Sequence, residues 1–171
     1  FTGIRIGVST ARALSDGLGI PAIAVSSLEA FCYGDDRKGI IAPIIDARRN
    51  QVYAGAYKWT DGILDEVVGP GPYMIDEFMD KLDGCAEKIT VFGDAHKKYG
   101  KIIFERDLEI ALAPEDEIYQ KAGRVARLAL KRYEEGKTVS YSELLPLYMR
   151  RSEAEVKREE RLKNGNQKSN G

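Results

Sequence analysis

Histidine is almost missing from this sequence: His96 is its single copy in 171 residues. An H-x-x-x-H metal pair is therefore excluded, and a Ser-His-Asp relay would have no spare base. Cysteine is scarce too. Cys32 and Cys85 lack C-x-x-C spacing and sit among apolar or small residues, which favours reduced thiols over a disulfide. No apolar run approaches the ~18 residues of a membrane-spanning helix, and no basic segment precedes an apolar leader. There is no GxxxxGK[ST] loop, no GxGxxG after a strand and no internal repeat. His96 stands beside Lys97 and Lys98 at a helix start and is expected at the surface.

What remains is ordinary globular material, 43% hydrophobic and 31% charged with a net charge of −1. The charge is uneven. Residues 150–171 carry seven Lys/Arg and four Asp/Glu, a local net of +3, which leaves −4 on the remainder. A basic tail on a mildly acidic body does not make a nucleic-acid-binding domain. Its last eight residues, 164–171, are polar and Gly-rich and are expected to be disordered.

The segment FTGIRIGVSTARALSDGLGIPAIAVSSLEAF reads as helix, buried strand and helix, opening directly at Phe1. Three such elements cannot bury their own apolar faces, so they need further sequence or another molecule. Ile4, Val8, Ala11, Leu14 and Leu18 follow helical spacing, Thr2 can cap the start, and Gly19 before Pro21 can stop the helix. Gly3, Gly7, Ala11 and Ser15 recur every fourth residue on one face. An interior Gly costs about 1 kcal/mol relative to Ala, so this stripe points to close approach of another backbone. Two approaches fit equally, packing on the chain's own sheet or on another subunit.

Ile20–Ser27 reads as a strand covered on both faces, with Ser27 capping the helix of Leu28, Ala30, Phe31 and Cys32. GDDRKG is a charged linker and a boundary. IIAPIID and QVYAGAYKW around ARRN predict a hairpin, followed by a strand over 63–68 and a Pro/Gly-rich loop. A helix with Ile75, Phe78, Met79 and Leu82 inward comes next. A strand (88–94), a helix (95–104), the strand LEIALAP and a helix over 118–135 complete the run. The long helix pairs Ile118, Ala122, Val125, Ala126, Ala129 and Leu130 on its apolar face. An extended Pro146–Met149 stretch and a charged terminal helix end the chain. The order predicts an α/β fold, a mixed sheet flanked by helices.

Few side chains offer chemistry. Asp46, at the end of an apolar strand, could face a metal-bound water or a phosphate, or cap the ARRN turn. Asp94 sits where a strand gives way to a helix, a common ligand position, or it caps that helix. Asp16 is expected to face solvent. Arg48 and Arg49 are paired cations at a hairpin tip, either an anion or RNA contact or a solvated turn.

The stretches FTGIRIGVSTARALS, IPAIAVSSLEAF, IIDARRNQVYAGAY, VFGDAHKKY and PLYMRRS resemble, in order, the TsaB (YeaZ) family of the so-called glycoprotease group. The resemblance implies an actin-like ATPase (ribonuclease H-like) fold whose N-terminal lobe is incomplete here. It divides the chain into a helix-strand-helix remnant of that lobe (1–36), a C-terminal actin-like lobe (39–138), a crossing segment with the charged helix (139–163) and the tail. It implies a cytoplasmic, non-catalytic scaffold that activates a TsaD-like subunit for threonylcarbamoyl transfer to the adenosine beside the tRNA anticodon. Expected partners are the TsaD-like subunit, a TsaE-like ATPase and a second copy, with tRNA met indirectly through the complex. ATP and metal are expected on the TsaD-like partner and no cofactor on this chain. The expected partner interface is Gly3, Ile4, Gly7, Val8, Ala11, Leu14 and Ser15. Asp46, Arg48, Arg49 and Asp94 would form a degenerate nucleotide or anion site. Actin-like ATPases place glycine two residues after the corresponding Asp, whereas this chain has Arg48. The alternatives are a stand-alone actin-like ATPase or kinase, with a peptidase a distant third. Tail cations Arg151, Lys157, Arg158 and Arg161 are further candidates for tRNA phosphates.

Overall fold

Ile40, Ile41, Ala42, Ile44 and Ile45 put apolar side chains on both faces of one strand, which suits only a covered, central position. The computed structural model, which describes residues 2–33 and 38–149, places them there. β1 (Ile40–Arg48) is the middle strand of a five-stranded sheet. β2 (Gln51–Thr60) and β3 (Ile63–Met74) follow it as an antiparallel meander, while β4 (Ile89–Phe92) and β5 (Ile110–Leu112) run parallel to β1 on its other side. The order is β3-β2-β1-β4-β5.

Alternation along the strands builds two cores. Ile40, Ala42 and Ile44 of β1, Val52, Ala54 and Ala56 of β2, and Ile89 and Val91 of β4 share one face. α3 (Ile75–Leu82) and α4 (His96–Phe104) cover it, with Ile75, Phe78, Met79 and Leu82 all buried as their spacing predicts. Each such side chain contributes roughly 1.5–3 kcal/mol by leaving water. Ile41, Tyr57 and Phe92 point the other way, against Leu28, Phe31 and Cys32 around α2 (Ser27–Ala30) and against Ala113 and Ile118. Cys32 and Cys85 belong to opposite faces, and both are free thiols.

Several expectations need correction. The Pro/Gly-rich GPGP is not a loop but part of β3, with bulges opposite Ala54–Tyr57. β3 is the sheet edge, where a proline's missing N–H costs no ladder bond. The segment Ile20–Ser27 is not a covered strand: among the described residues its one ladder contact is an isolated antiparallel bridge, Ala22 to Val139. Ala22 and Val139 exchange both N–H···O bonds, at 2.9 and 2.8 Å. The cap of α2 is Ser26, whose hydroxyl accepts from the Glu29 N–H, one residue before the expected Ser27. α5 runs from Ala122 to Glu134, later than expected, and turns Arg124 and Leu128 inward. Ala126 and Leu130, expected in the core, are exposed. Arg124 is buried because its guanidinium lies over the Phe92 ring and donates to the Glu117 carbonyl at 3.0 Å. Residues 34–37 of the linker, the charged terminal helix and the tail lie outside the described residues, as do Arg151, Lys157, Arg158 and Arg161.

α1 (Thr2–Leu18) ends as Gly19 predicts. Gly19 has φ +63, its N–H reaches the Asp16 carbonyl, and the Ile20 N–H reaches that of Ser15. This is a Schellman closure, and α5 repeats it at Gly136. Asp16 faces solvent. Unlike the other long helices, α1 packs substantially on no other helix or strand among the described residues.

Candidate functional site

The parallel neighbours β1 and β4 end side by side, and Gly93 shapes the turn that leaves β4. At φ +88, a Cβ there would stand 2.3 Å from the Ile44 carbonyl oxygen, so only glycine lets β4 turn so close to β1. The turn carries Asp94 over the end of β1, where its Oδ1 accepts the Asp46 backbone N–H at 2.9 Å. Asp94 therefore does not cap α4, whose N-cap position is Ala95. Asp46 Oδ1 accepts the Arg48 N–H at 2.8 Å, the turn-capping role, and the Tyr99 hydroxyl at 3.1 Å. Lys98 Nζ donates to that hydroxyl at 2.7 Å and lies 3.6 Å from Asp46 Oδ1. Its hydrogen bond to Tyr99, reinforced by the Asp46 charge, holds the Lys98 ammonium above the usual lysine range. His96 is half-buried rather than at the surface, with Nδ1 2.9 Å from the Gly93 carbonyl oxygen, to which that nitrogen's proton is assigned.

Asp46, Asp94 and Arg48 thus come together as the sequence suggests, with Arg49 next along the turn. Sequence reasoning misses Lys98 and Tyr99, though they sit in the same GDAHKKY stretch as Asp94. The arrangement does not fit a nucleotide phosphate. A phosphate loop needs bare backbone N–H groups, whereas those of Asp46 and Arg48 are already taken by carboxylates. Two carboxylates at the strand ends repel a phosphate. Arg48 stands at φ +64 where a glycine would leave room for one.

Beside this cluster lies an open groove of about 1260 Å³. Ile4, Gly7, Val8 and Ala11 of α1 form one wall; Ile23–Leu28, Val125 and Ala129 of α5, and Leu144–Met149 form others. Ile45 to Arg49 close one end, so the two groups of residues suggested separately by the sequence share one groove. Asp94 is not in it. Of the remaining interface candidates, Gly3 and Leu14 are exposed, and Ser15 is buried with its hydroxyl donating to the Ile20 carbonyl at 2.5 Å. Among the described residues, a Cβ built on Gly3 or Gly7 would meet nothing within 4 Å. Arg5 ties α1 to the groove's far wall by donating to the Tyr148 hydroxyl at 2.8 Å. The chain's own sheet is therefore not what the glycine stripe packs on.

A smaller pocket of about 570 Å³ lies between α2, β3 and α5. Glu29 pairs there with Arg132; burial pushes its carboxyl up, and the Arg132 charge partly offsets this. Lys131 sits over the rings of Tyr33 and Trp59. Burial and then the Glu29 charge push the Cys32 thiol far above the cysteine range, so it is no nucleophile. Among the described residues no group of three His, Cys, Asp or Glu could hold a metal ion, and no helix is long and apolar enough to cross a membrane.

Comparison with known proteins fits this geometry. The family model for TsaD, tRNA N6-adenosine threonylcarbamoyltransferase, matches residues 1–158. The tRNA threonylcarbamoyladenosine biosynthesis protein TsaB of Bacillus subtilis is 34% identical over 92% of this chain and 68% of its own length. TsaB of Escherichia coli is 30% identical over 90% of this chain and 68% of its own. Among solved structures, YeaZ from Pseudomonas aeruginosa superimposes with a TM-score of 0.69 at 24% identity, covering 86% of this chain and 68% of that one. A P. aeruginosa protein described as similar to peptidase YEAZ gives 0.71 at 24%, over 88% and 68%. At that identity the structures show a shared fold.

Proposed function

The chain belongs to the TsaD/TsaB family of tRNA threonylcarbamoyladenosine proteins, and from that premise we propose that it is a non-catalytic scaffold subunit of threonylcarbamoyl transfer. It binds a TsaD-like subunit and activates it toward the adenosine next to the tRNA anticodon. The observation that carries this is α1: seventeen residues of helix, apolar on one side, with open space over Gly3 and Gly7 and no substantial packing partner among the described elements. Ile6, Leu14 and Leu18 are more than half exposed on the same helix. A surface of this kind marks an interaction site, and bare glycines admit a partner helix at short range.

The strand-end carboxylates support a non-catalytic role, since Asp46 holds the turn and Asp94 holds the Asp46 backbone. ATP and metal belong on the TsaD-like partner, and a TsaE-like ATPase and a second copy are further partners for the same complex. The stand-alone nucleotide hydrolase is disfavoured by the occupied N–H groups at Asp46 and Arg48.

The test is co-purification with the TsaD-like subunit. Gly7→Leu places a branched side chain in the open space and is expected to abolish the heterodimer while circular dichroism stays unchanged. Undiminished co-purification of that variant would overturn the assignment of the interface to α1.

A further inference from the structure

We propose that Arg132 is a positioning residue for the docking helix: its guanidinium clamps the segment that joins α1 to the body, and Glu29 holds that guanidinium in place. The inference rests on the reading of α1 as the surface that meets the TsaD-like subunit and adds what fixes the pose of that helix.

α1 closes at Gly19 and reaches α2 through residues 20–26, so whatever fixes that segment fixes the helix before it. Among the described residues the segment belongs to no sheet. Its hydrogen bonds beyond α1 and α2 come from the end of α5 and the turn that follows. One hold is the Ala22–Val139 bridge. The other is Arg132, whose Nη1 donates to the Ala24 carbonyl. Both holds stem from one closed turn: Gly136, at φ +72, ends α5, and the Lys137 N–H reaches the Arg132 carbonyl at 2.8 Å.

The other half of the guanidinium meets α2, where Nη2 donates to Glu29 Oε2. The Arg132 and Glu29 side chains are only 26% and 23% exposed, so this is not a solvated surface pair of little weight. Hydrogen bonds from a charged donor are also stronger than neutral ones. Two acceptors on two segments suit arginine, whose planar donors point in fixed directions, whereas lysine brings a single point charge. Leu28 and Ala30 bury α2, so Glu29 ties the fork to the core. Ala24 and Arg132 line both the groove and the smaller pocket, and their bond forms part of the partition between the two cavities. Without it, two contacts among the described residues would hold α1 to the body: the Ala22–Val139 bridge at one end and the exposed Arg5–Tyr148 bond at the other.

The experiment pairs hydrogen exchange at single amides with calorimetric titration of the TsaD-like subunit, on wild type, Arg132→Gln, Arg132→Lys and Arg127→Gln. Arg127 is exposed on the same helix and lines neither cavity, so its variant controls for the loss of a charge. Arg132→Gln is expected to speed exchange of the Ala22 amide about ten-fold. It should also raise the heterodimer Kd roughly five-fold, as the posed helix becomes a smaller fraction of the ensemble. The amides of β1 and β4 should exchange as in wild type. Arg132→Lys should recover part of both effects, and Arg127→Gln should produce neither. Ala22 exchange at the wild-type rate in Arg132→Gln would overturn the clamp. Faster exchange with an unchanged Kd would overturn its role in docking. If Arg132→Gln speeds exchange throughout the chain, Val139→Pro replaces it, since that change removes the N–H that the Ala22 carbonyl accepts. A wild-type Kd for Val139→Pro would then overturn the dependence of docking on this segment. If wild type forms no heterodimer, the scaffold reading fails separately, and Ala22 exchange in the chain alone still decides the clamp.

Discussion

At the scale of single residues, the buried polar groups are where the structure is most exposed to change. Arg124 is almost fully buried, stacked on Phe92 and bonded to Glu117 through both its carbonyl and its carboxylate. Arg124→Ala removes the buried guanidinium from Phe92 and from the partly exposed Glu117 and is expected to cost about 2 kcal/mol in urea unfolding. Arg124→Met, which keeps the packing over Phe92, should cost clearly less; equal losses would mean that the packing over the ring contributes nothing. Glu29 gives a pH test. Its carboxyl is raised by burial despite Arg132, so the folded state binds its proton more readily than the unfolded chain does. Stability tied to Glu29 therefore rises as pH falls from neutral through its folded pKa toward the ordinary glutamate range, and it falls as pH rises. Wild type should gain stability relative to Glu29→Gln over that acid window; a constant difference would contradict the assignment. Neither residue announces itself in the sequence. Arg124 stands in a helix whose apolar face reads differently from the one it buries, because Ala126 and Leu130 look like core and a buried arginine needs a distant ring to explain it.

At the scale of elements, local pattern serves best where an element faces one partner. α3 turns Ile75, Phe78, Met79 and Leu82 inward as their spacing predicts, and the hairpin closes at Arg49–Asn50. It fails where tertiary position overrides composition. GPGP enters a strand because β3 is an edge, and Ile20–Ser27 stays out of one because Val139 alone among the described residues pairs with it. The Gly3–Gly7–Ala11 stripe is legible, but whether sheet or partner lies against it depends on what surrounds α1. This sets an element-scale prediction. Gly7 has helical backbone and open space beside it, so Gly7→Leu should leave the isolated chain as stable or stabilise it by up to about 1 kcal/mol through helix propensity. A marked fall in its urea midpoint would show that Gly7 packs within the chain after all.

At the scale of the whole molecule, the candidate site is half visible in the sequence. Asp46, Arg48, Arg49 and Asp94 stand out by turn chemistry, and they do meet at the strand ends. Their shared groove with α1 is not visible, because Leu144–Met149 returns from the far end of the chain to form its wall. That groove is lined by α1 and by the β1–β2 turn, where the Asp46 carboxylate is committed to holding backbone. The most direct test is the threonylcarbamoyladenosine content of tRNA, by mass spectrometry, in a reaction reconstituted with the TsaD-like and TsaE-like subunits. Asp46→Asn keeps the acceptor oxygen for the turn and should leave the modification near the wild-type level, whereas Gly7→Leu should abolish it. Modification lost with Asp46→Asn and retained with Gly7→Leu would contradict the scaffold and place chemistry on this chain instead.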